Sequence, residues 1–167
     1  MDGNLEERMK AIPLDTTVFI GLGNTHMGDD AAGVLLAKIL SKGGLNTLEA
    51  GNDLMGAMHN LSSINSTHAV FIDAAGMGLE PGDMRIIEEN EISGRCISTH
   101  ENNFPLAIHY MKCLNPCLDI TFIGIQFNTL ELQEKPKLSP EVMKAVECLA
   151  RMILSLREEQ KRIGCAF

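Results

Sequence analysis

Acidic side chains and one histidine follow apolar runs of the sequence, in positions typical of a chemical site. Asp29 and Asp30 come shortly after the first apolar run, Asp73 ends a later one, and His100 lies in a polar stretch before another. Two carboxylates and an imidazole could share a proton as acid and base. They could equally ligate a divalent cation such as nickel, zinc, iron or manganese. The residue types alone leave both chemistries open.

Each of these residues also has an ordinary structural role open to it. Asp29 and Asp30 stand where a helix N-cap or a first-turn carboxylate is favoured, and Asp29 fits the cap better. His100 taken alone would be an ordinary loop histidine. Asp73 is different, because a carboxylate that ends an apolar strand is costly to bury without a partner. Local pattern therefore favours function most at Asp73.

Alternating strands and helices must position these side chains. We predict strands over residues 16–22, 45–51, 68–76, 84–90 and 118–127, and helices over 29–42, 54–64, 105–114 and from 140 onward. Several of the strands lack polar alternation, as expected when helices cover both faces of a sheet. The fold class is therefore α/β, a three-layer α/β/α sandwich with a mostly parallel sheet.

Two details of this organisation are specific predictions. The strand over 84–90 follows its predecessor without a helix, so we expect an antiparallel edge strand. Residues 1–15 are polar and are interpreted as a leader, followed by a single domain over 16–163. Open α/β sheets place their sites beyond the carboxyl ends of the strands. If the first and third strands are neighbours, Asp30 and Asp73 face each other across one crevice.

Composition excludes several classes of protein. The 167 residues carry a net charge of −8 and only 4% aromatic residues, which argues against nucleic-acid binding. The N-terminus lacks the apolar core of a signal peptide, and no apolar run approaches the roughly 18 residues of a membrane span. Five cysteines without a C-x-x-C pair predict reduced thiols in a cytoplasmic protein rather than a disulfide framework.

The glycines after the first strand do not complete a nucleotide-binding motif. The stretch GLGNTHMGDDAAG, residues 21–33, has His26 where G-x-G-x-x-G requires its third glycine. The sequence has no Walker lysine followed by serine or threonine, and no G-x-S-x-G nucleophile elbow. A phosphate-binding loop and a serine hydrolase are both disfavoured. The acidic pair Asp29 and Asp30 predicts a positively charged ligand.

Four stretches together resemble one protein family. They are GLGNTHMGDDAAG at 21–33, VFIDAAGMGLEPGDMRII at 70–87, STHENNFPL at 98–106 and FIGIQ at 122–126. In this order and spacing they resemble the hydrogenase maturation endopeptidases, in the branch that serves hydrogenase-3-type nickel-iron hydrogenases. The resemblance covers nearly the whole chain, from about residue 17 to the last helix.

The resemblance implies a function and a set of site residues. The family removes a short C-terminal extension from the precursor of the hydrogenase large subunit after nickel insertion, on an α/β/α sandwich with a twisted five-stranded sheet. Asp30, Asp73 and His100 match the family's metal-binding positions and are expected to be both the catalytic residues and the nickel ligands, whereas Asp29 is not. Nickel is expected to be carried by the precursor rather than held permanently, and the protein is expected to be a monomer.

Two other functions compete with this one. A different metal-assisted hydrolase on the same architecture would act on small esters or amides without any hydrogenase precursor. A nickel-binding maturation chaperone would hold the precursor without cutting it. Whether the metal activates water and the carbonyl, or only marks the loaded precursor while a carboxylate acts as base, is also open.

Overall fold

The computed structural model of the chain describes residues 3–61, 66–88, 91, 104–133 and 137–164. The helices are α1 (Gly3–Ala11), α2 (Ala32–Lys42), α3 (Leu54–Leu61), α4 (Phe104–Leu114) and α5 (Pro140–Gly164), and the strands are β1 (Thr17–Leu22), β2 (Asn46–Gly51), β3 (His68–Ala75), β4 (Met84–Ile87) and β5 (Asp119–Gln126). Two short 3-10 turns, Leu14–Thr16 and Gly28–Ala31, precede β1 and α2.

The five strands form one sheet in the order β2-β1-β3-β5-β4. β1 pairs in parallel with β2 and β3, and β3 pairs in parallel with β5. β4 runs antiparallel to β5 at the edge. The predicted adjacency of the first and third strands and the antiparallel edge strand are both confirmed.

Helices cover both faces of the sheet. Phe19 points into a core that also holds buried residues of α1, α2 and α5. Its neighbours Val18 and Ile20 point the opposite way, into a second core closed by α3 and α4. This is the alternation of side chains along a strand, with both faces buried. The three-layer α/β/α sandwich is confirmed.

The N-terminal segment differs from the sequence prediction. The sequence predicts a polar leader over residues 1–15, yet α1 places Leu5 and Met9 in the same core as α5, at 1% and 0% exposure. The two side chains are four residues apart, so they lie on one face of the helix. The acidic and basic residues between them cover the outer face, which is why this segment has a polar composition.

Helix α5 carries the apolar stripe that its sequence predicts. Val142, Val146, Leu149 and Ile153 are fully buried against the sheet, at the spacing of one helix face. Its C-terminal part is charged and exposed. Among the described residues, no helix combines the length and apolar character needed to cross a membrane.

A close backbone contact fixes α2 against the sheet. A methyl group at Gly21 of β1 would overlap the carbonyl oxygen of Gly33 in α2, and one at Gly33 would overlap the carbonyl oxygen of Ile72 in β3. Only glycines allow this approach. The turn that precedes α2 is thereby held at the carboxyl ends of β1 and β3.

Candidate active site

The turn Gly28–Ala31 carries both aspartates of the GDD sequence. The prediction that Asp29 or Asp30 caps α2 is wrong, because the helix begins at Ala32 and its N-cap is Ala31, which makes no side-chain capping bond. Residues of a 3-10 turn are spaced about 120° apart around the axis. The two neighbouring carboxylates therefore leave the turn in different directions and contact different parts of the molecule.

Asp30 faces the loop that leaves β1. Its side chain is buried, at 1% exposure, and its Oδ2 accepts a hydrogen bond from the backbone N–H of Asn24 at 2.7 Å. This hydrogen bond requires a glycine at position 23. Gly23 adopts a φ of 111°, and a methyl group there would overlap the carbonyl oxygen of Asp30. The loop thus folds back on the carboxylate and fixes its position.

Asp73 lies near the carboxyl end of β3, opposite Gly124 of β5. Its exposure is 6%. The turn that carries Asp30 contacts β3, so the structure brings these two predicted site residues to the same edge of the sheet. Two carboxylates at one edge of the sheet attract a cation by Coulomb's law.

The third predicted site residue, His100, lies outside the described residues. Within the parts of the chain that the structure describes, no group of three or more histidine, cysteine, aspartate or glutamate side chains is arranged to hold a metal ion. Asp30 and Asp73 do not form a complete ligand set by themselves, since first-row metals generally take four or more ligands. Further ligands would have to come from elsewhere in the chain or from the substrate.

Asp29 connects the turn to the residues that follow β5 and to the start of α5. It is 0% exposed, and its Oδ2 accepts the backbone N–H groups of Asn128 and Thr129 at 2.9 and 3.1 Å. Ser139 donates its backbone N–H to Oδ1 and its hydroxyl to Oδ2. Both side-chain oxygens of Asp29 thus accept hydrogen bonds from neutral donors. We infer that Asp29 holds the turn of Asp30 in place rather than binding a ligand.

Gln126 is a second positioning residue, and the sequence analysis did not identify it. Its side-chain Oε1 accepts the backbone N–H groups of Met77 and Leu79 at 2.7 and 3.2 Å, and its Nε2 donates to the carbonyl of Phe127 at 3.0 Å. These bonds order the loop that follows Asp73. A polar residue ending a buried strand beside the strand of Asp73 was the available signal.

Comparison with known proteins decides the family. The family described as hydrogenase maturation protease matches residues 34–156, a span that includes Asp73 and His100 and begins just after Asp30. The Escherichia coli hydrogenase 3 maturation protease is 32% identical over 114 residues, which cover 66% of this chain and 72% of the relative. The chain belongs to the hydrogenase maturation proteases.

Solved structures of such proteases share its fold. The nickel-iron hydrogenase maturation protease HycI from Thermococcus kodakarensis superposes with a TM-score of 0.74 at 28% identity, covering 85% of this chain and 92% of that one. The maturation protease HybD from the same organism gives 0.69 at 26% identity, covering 86% and 97%. This hydrogenase maturation protease is therefore an enzyme of the peptidase class, as the resemblance implied.

Proposed function

We propose that this protease removes the C-terminal extension of a nickel-iron hydrogenase large-subunit precursor after nickel has been inserted. The observation that carries the proposal is the burial of Asp30 and Asp73 at one edge of the sheet, at 1% and 6% exposure, in a chain that matches the maturation protease family. The nickel belongs to the substrate in this account, and the protease recognises it.

The site residues have separate roles in this proposal. Asp30 and Asp73, together with His100, engage the nickel carried by the precursor. Carboxylate oxygens and an imidazole nitrogen are suitable ligands for nickel, and the buried negative charge of the apo site favours a cation over an anion. Docking the metal places the adjacent peptide of the precursor beside the two carboxylates. Proximity of this kind supplies much of the barrier reduction in an enzyme.

Rigid positioning is what the surrounding hydrogen bonds contribute. Asp29 holds the turn of Asp30 to Asn128 and Thr129, just after β5. Gln126, the last residue of β5, holds the loop after Asp73. The segments that carry Asp30 and Asp73 are therefore both anchored at the carboxyl end of β5. This anchoring keeps the distance between the two carboxylates constant while the substrate docks.

The cellular setting follows from the substrate. In this proposal the nickel-loaded large-subunit precursor is cytoplasmic, and the protease acts there. Cys113, Cys117 and Cys148 are free thiols, which fits a reducing compartment. The monomeric state stays a prediction.

Mass spectrometry of the precursor tests the proposal. Purified large-subunit precursor is incubated with the protease in two forms, loaded with nickel and free of nickel. The expected result is loss of a C-terminal peptide from the loaded form only. An intact loaded precursor in a stable complex would instead indicate a chaperone, and cleavage of the nickel-free form would overturn the role of nickel in recognition.

A further inference from the structure

A groove lies beside the turn of Asp30, between α2 and α5. Its apolar lining comes from Val34 and Leu35 of α2, Leu138 before α5, and Met143 of α5, and its volume is about 300 Å³. That volume is at the lower end of the range of about 300–1,000 Å³ for small-ligand sites. The groove suits a short peptide segment with one or two apolar side chains.

Two lysines contribute positive charge to this groove. Lys38 and Lys137 line it, and among the residues that the structure describes no aspartate or glutamate does, although the chain as a whole carries a net charge of −8. Lys38 also approaches Glu49 at 3.5 Å, with both side chains 47% exposed. Exposed pairs of this kind are weak, so Lys38 can exchange Glu49 for an incoming carboxylate at little cost.

The groove adjoins the candidate active site through the chain itself. Ala31, which lines it, directly follows Asp30 in the same 3-10 turn. Thr25, also in the lining, directly follows Asn24, whose backbone N–H binds the Asp30 carboxylate. A peptide seated in the groove therefore contacts the residues on both sides of the Asp30 hydrogen bond. Its chain can continue toward the carboxylates over a short distance.

We propose that this lysine-lined groove binds the C-terminal extension of the precursor, through an apolar side chain and a carboxylate of that extension. The inference rests on the proposed function, because the extension is the part of the substrate that the protease removes. The groove supplies affinity for the segment beyond the cut, while Asp30 and Asp73 remain responsible for the metal and the chemistry. Its contribution is therefore to KM rather than to kcat.

Charge reversal at the two lysines tests this. The double variant Lys38→Glu/Lys137→Glu is compared with Lys42→Glu/Lys161→Glu, which makes the same change in net charge at two exposed lysines outside the groove lining. The expected result with nickel-loaded precursor is a KM raised about tenfold in the groove variant with kcat nearly unchanged. The control variant should retain the wild-type KM within about twofold. Equal KM values for the two variants would overturn the proposal.

A binding measurement with a synthetic peptide separates the groove from the chemistry. A fluorescent peptide with the sequence of the extension should bind the wild type more tightly than the groove variant, and converting its carboxylates to amides should remove that difference. If instead the groove variant changes only the sedimentation coefficient of the protease, the groove is a contact between copies and the proposal is wrong. Failure of the wild type to process any precursor would refute the proposed function itself, which is a distinct outcome.

Discussion

Ser139 donates two hydrogen bonds to Asp29, from its backbone N–H at 2.6 Å and from its hydroxyl at 2.9 Å, across 110 positions of sequence. The first residues of α5 are thereby joined to the turn that carries Asp30. Because Asp29 also accepts the backbone N–H groups of Asn128 and Thr129, one buried carboxylate connects three segments of the chain.

Replacing Asp29 by Asn should destabilise the protein. An amide offers one acceptor oxygen and turns an N–H group toward donors, so at least one buried donor loses its partner in either orientation. The expected loss is about 1–3 kcal/mol in the free energy of unfolding, measured by urea denaturation. Ser139→Ala removes a single donor and should cost only about 1 kcal/mol. An Asp29→Asn variant that unfolds at the wild-type urea concentration would contradict the role assigned to Asp29.

Replacing Gln126 by Met should loosen the loop after Asp73. Methionine keeps the length of the side chain but removes the oxygen that accepts the N–H groups of Met77 and Leu79. Hydrogen exchange of those two amides should accelerate by about tenfold or more, since each loses a protein partner. Gln133→Met is the matched control, because Gln133 accepts from the Lys137 N–H instead. Equal exchange at Met77 and Leu79 in both variants would rule out the positioning role.

Replacing Gly21 by Ala should disturb the contact between α2 and the sheet. The added methyl group would meet the carbonyl of Gly33 and lie 2.9 Å from the Cβ of Ala37, and overpacking of this kind costs about 1–3 kcal/mol or more. Gly78→Ala is the control that separates steric overlap from backbone strain, since Gly78 has a φ of 70° but open space around it. It should cost only about 1–2 kcal/mol of backbone strain. Thermal unfolding that ranks Gly78→Ala as the more damaging change would argue against the packing account.

His68 should make stability depend on pH. Burial lowers the pKa of His68 below 6.5, and the attraction of Asp119 offsets this only in part. In the unfolded chain His68 therefore binds a proton at a pH where the buried His68 of the folded protein is still neutral. The contribution of neutral His68 to the free energy of unfolding is complete above pH 6.5 and is lost as the pH falls through the lowered pKa of the folded state. The difference in unfolding free energy between wild type and His68→Gln should shrink between pH 7.5 and pH 5. A difference that grows on acidification would reverse the sign and refute this assignment.

Much of the site's placement could be predicted from the sequence. The apolar run that ends in Asp73 identifies a buried strand, and the general rule for open sheets places its carboxyl end at a site. Asp30 and Asp73 lie at the same edge of the sheet because β1 and β3 are neighbours, and this adjacency is the condition on which the prediction depends. The antiparallel edge strand could also be predicted, because the segment that precedes it is too short for a helical crossover.

The contacts that hold the site could not be predicted in the same way. Asp29 was expected to cap the helix that follows it, because an aspartate before an apolar helix usually does. It binds donors about 100 positions further along instead, and no local pattern encodes a partner at that separation. The role of Gln126 could not be predicted for the same reason, since its partners are 47 and 49 positions away.

The most direct test of the account compares Asp30→Asn and Asp73→Asn with the wild type on nickel-loaded precursor, with the precursor's intact mass as the readout. Asparagine preserves the size of each side chain and removes its charge. Asp83→Asn is the control, because Asp83 is an exposed carboxylate just before β4, at the same edge of the sheet. Wild type and Asp83→Asn should shorten the precursor, while Asp30→Asn and Asp73→Asn should slow its processing by at least about a hundredfold. Processing at the wild-type rate by folded Asp30→Asn and Asp73→Asn would contradict the role proposed for the two carboxylates.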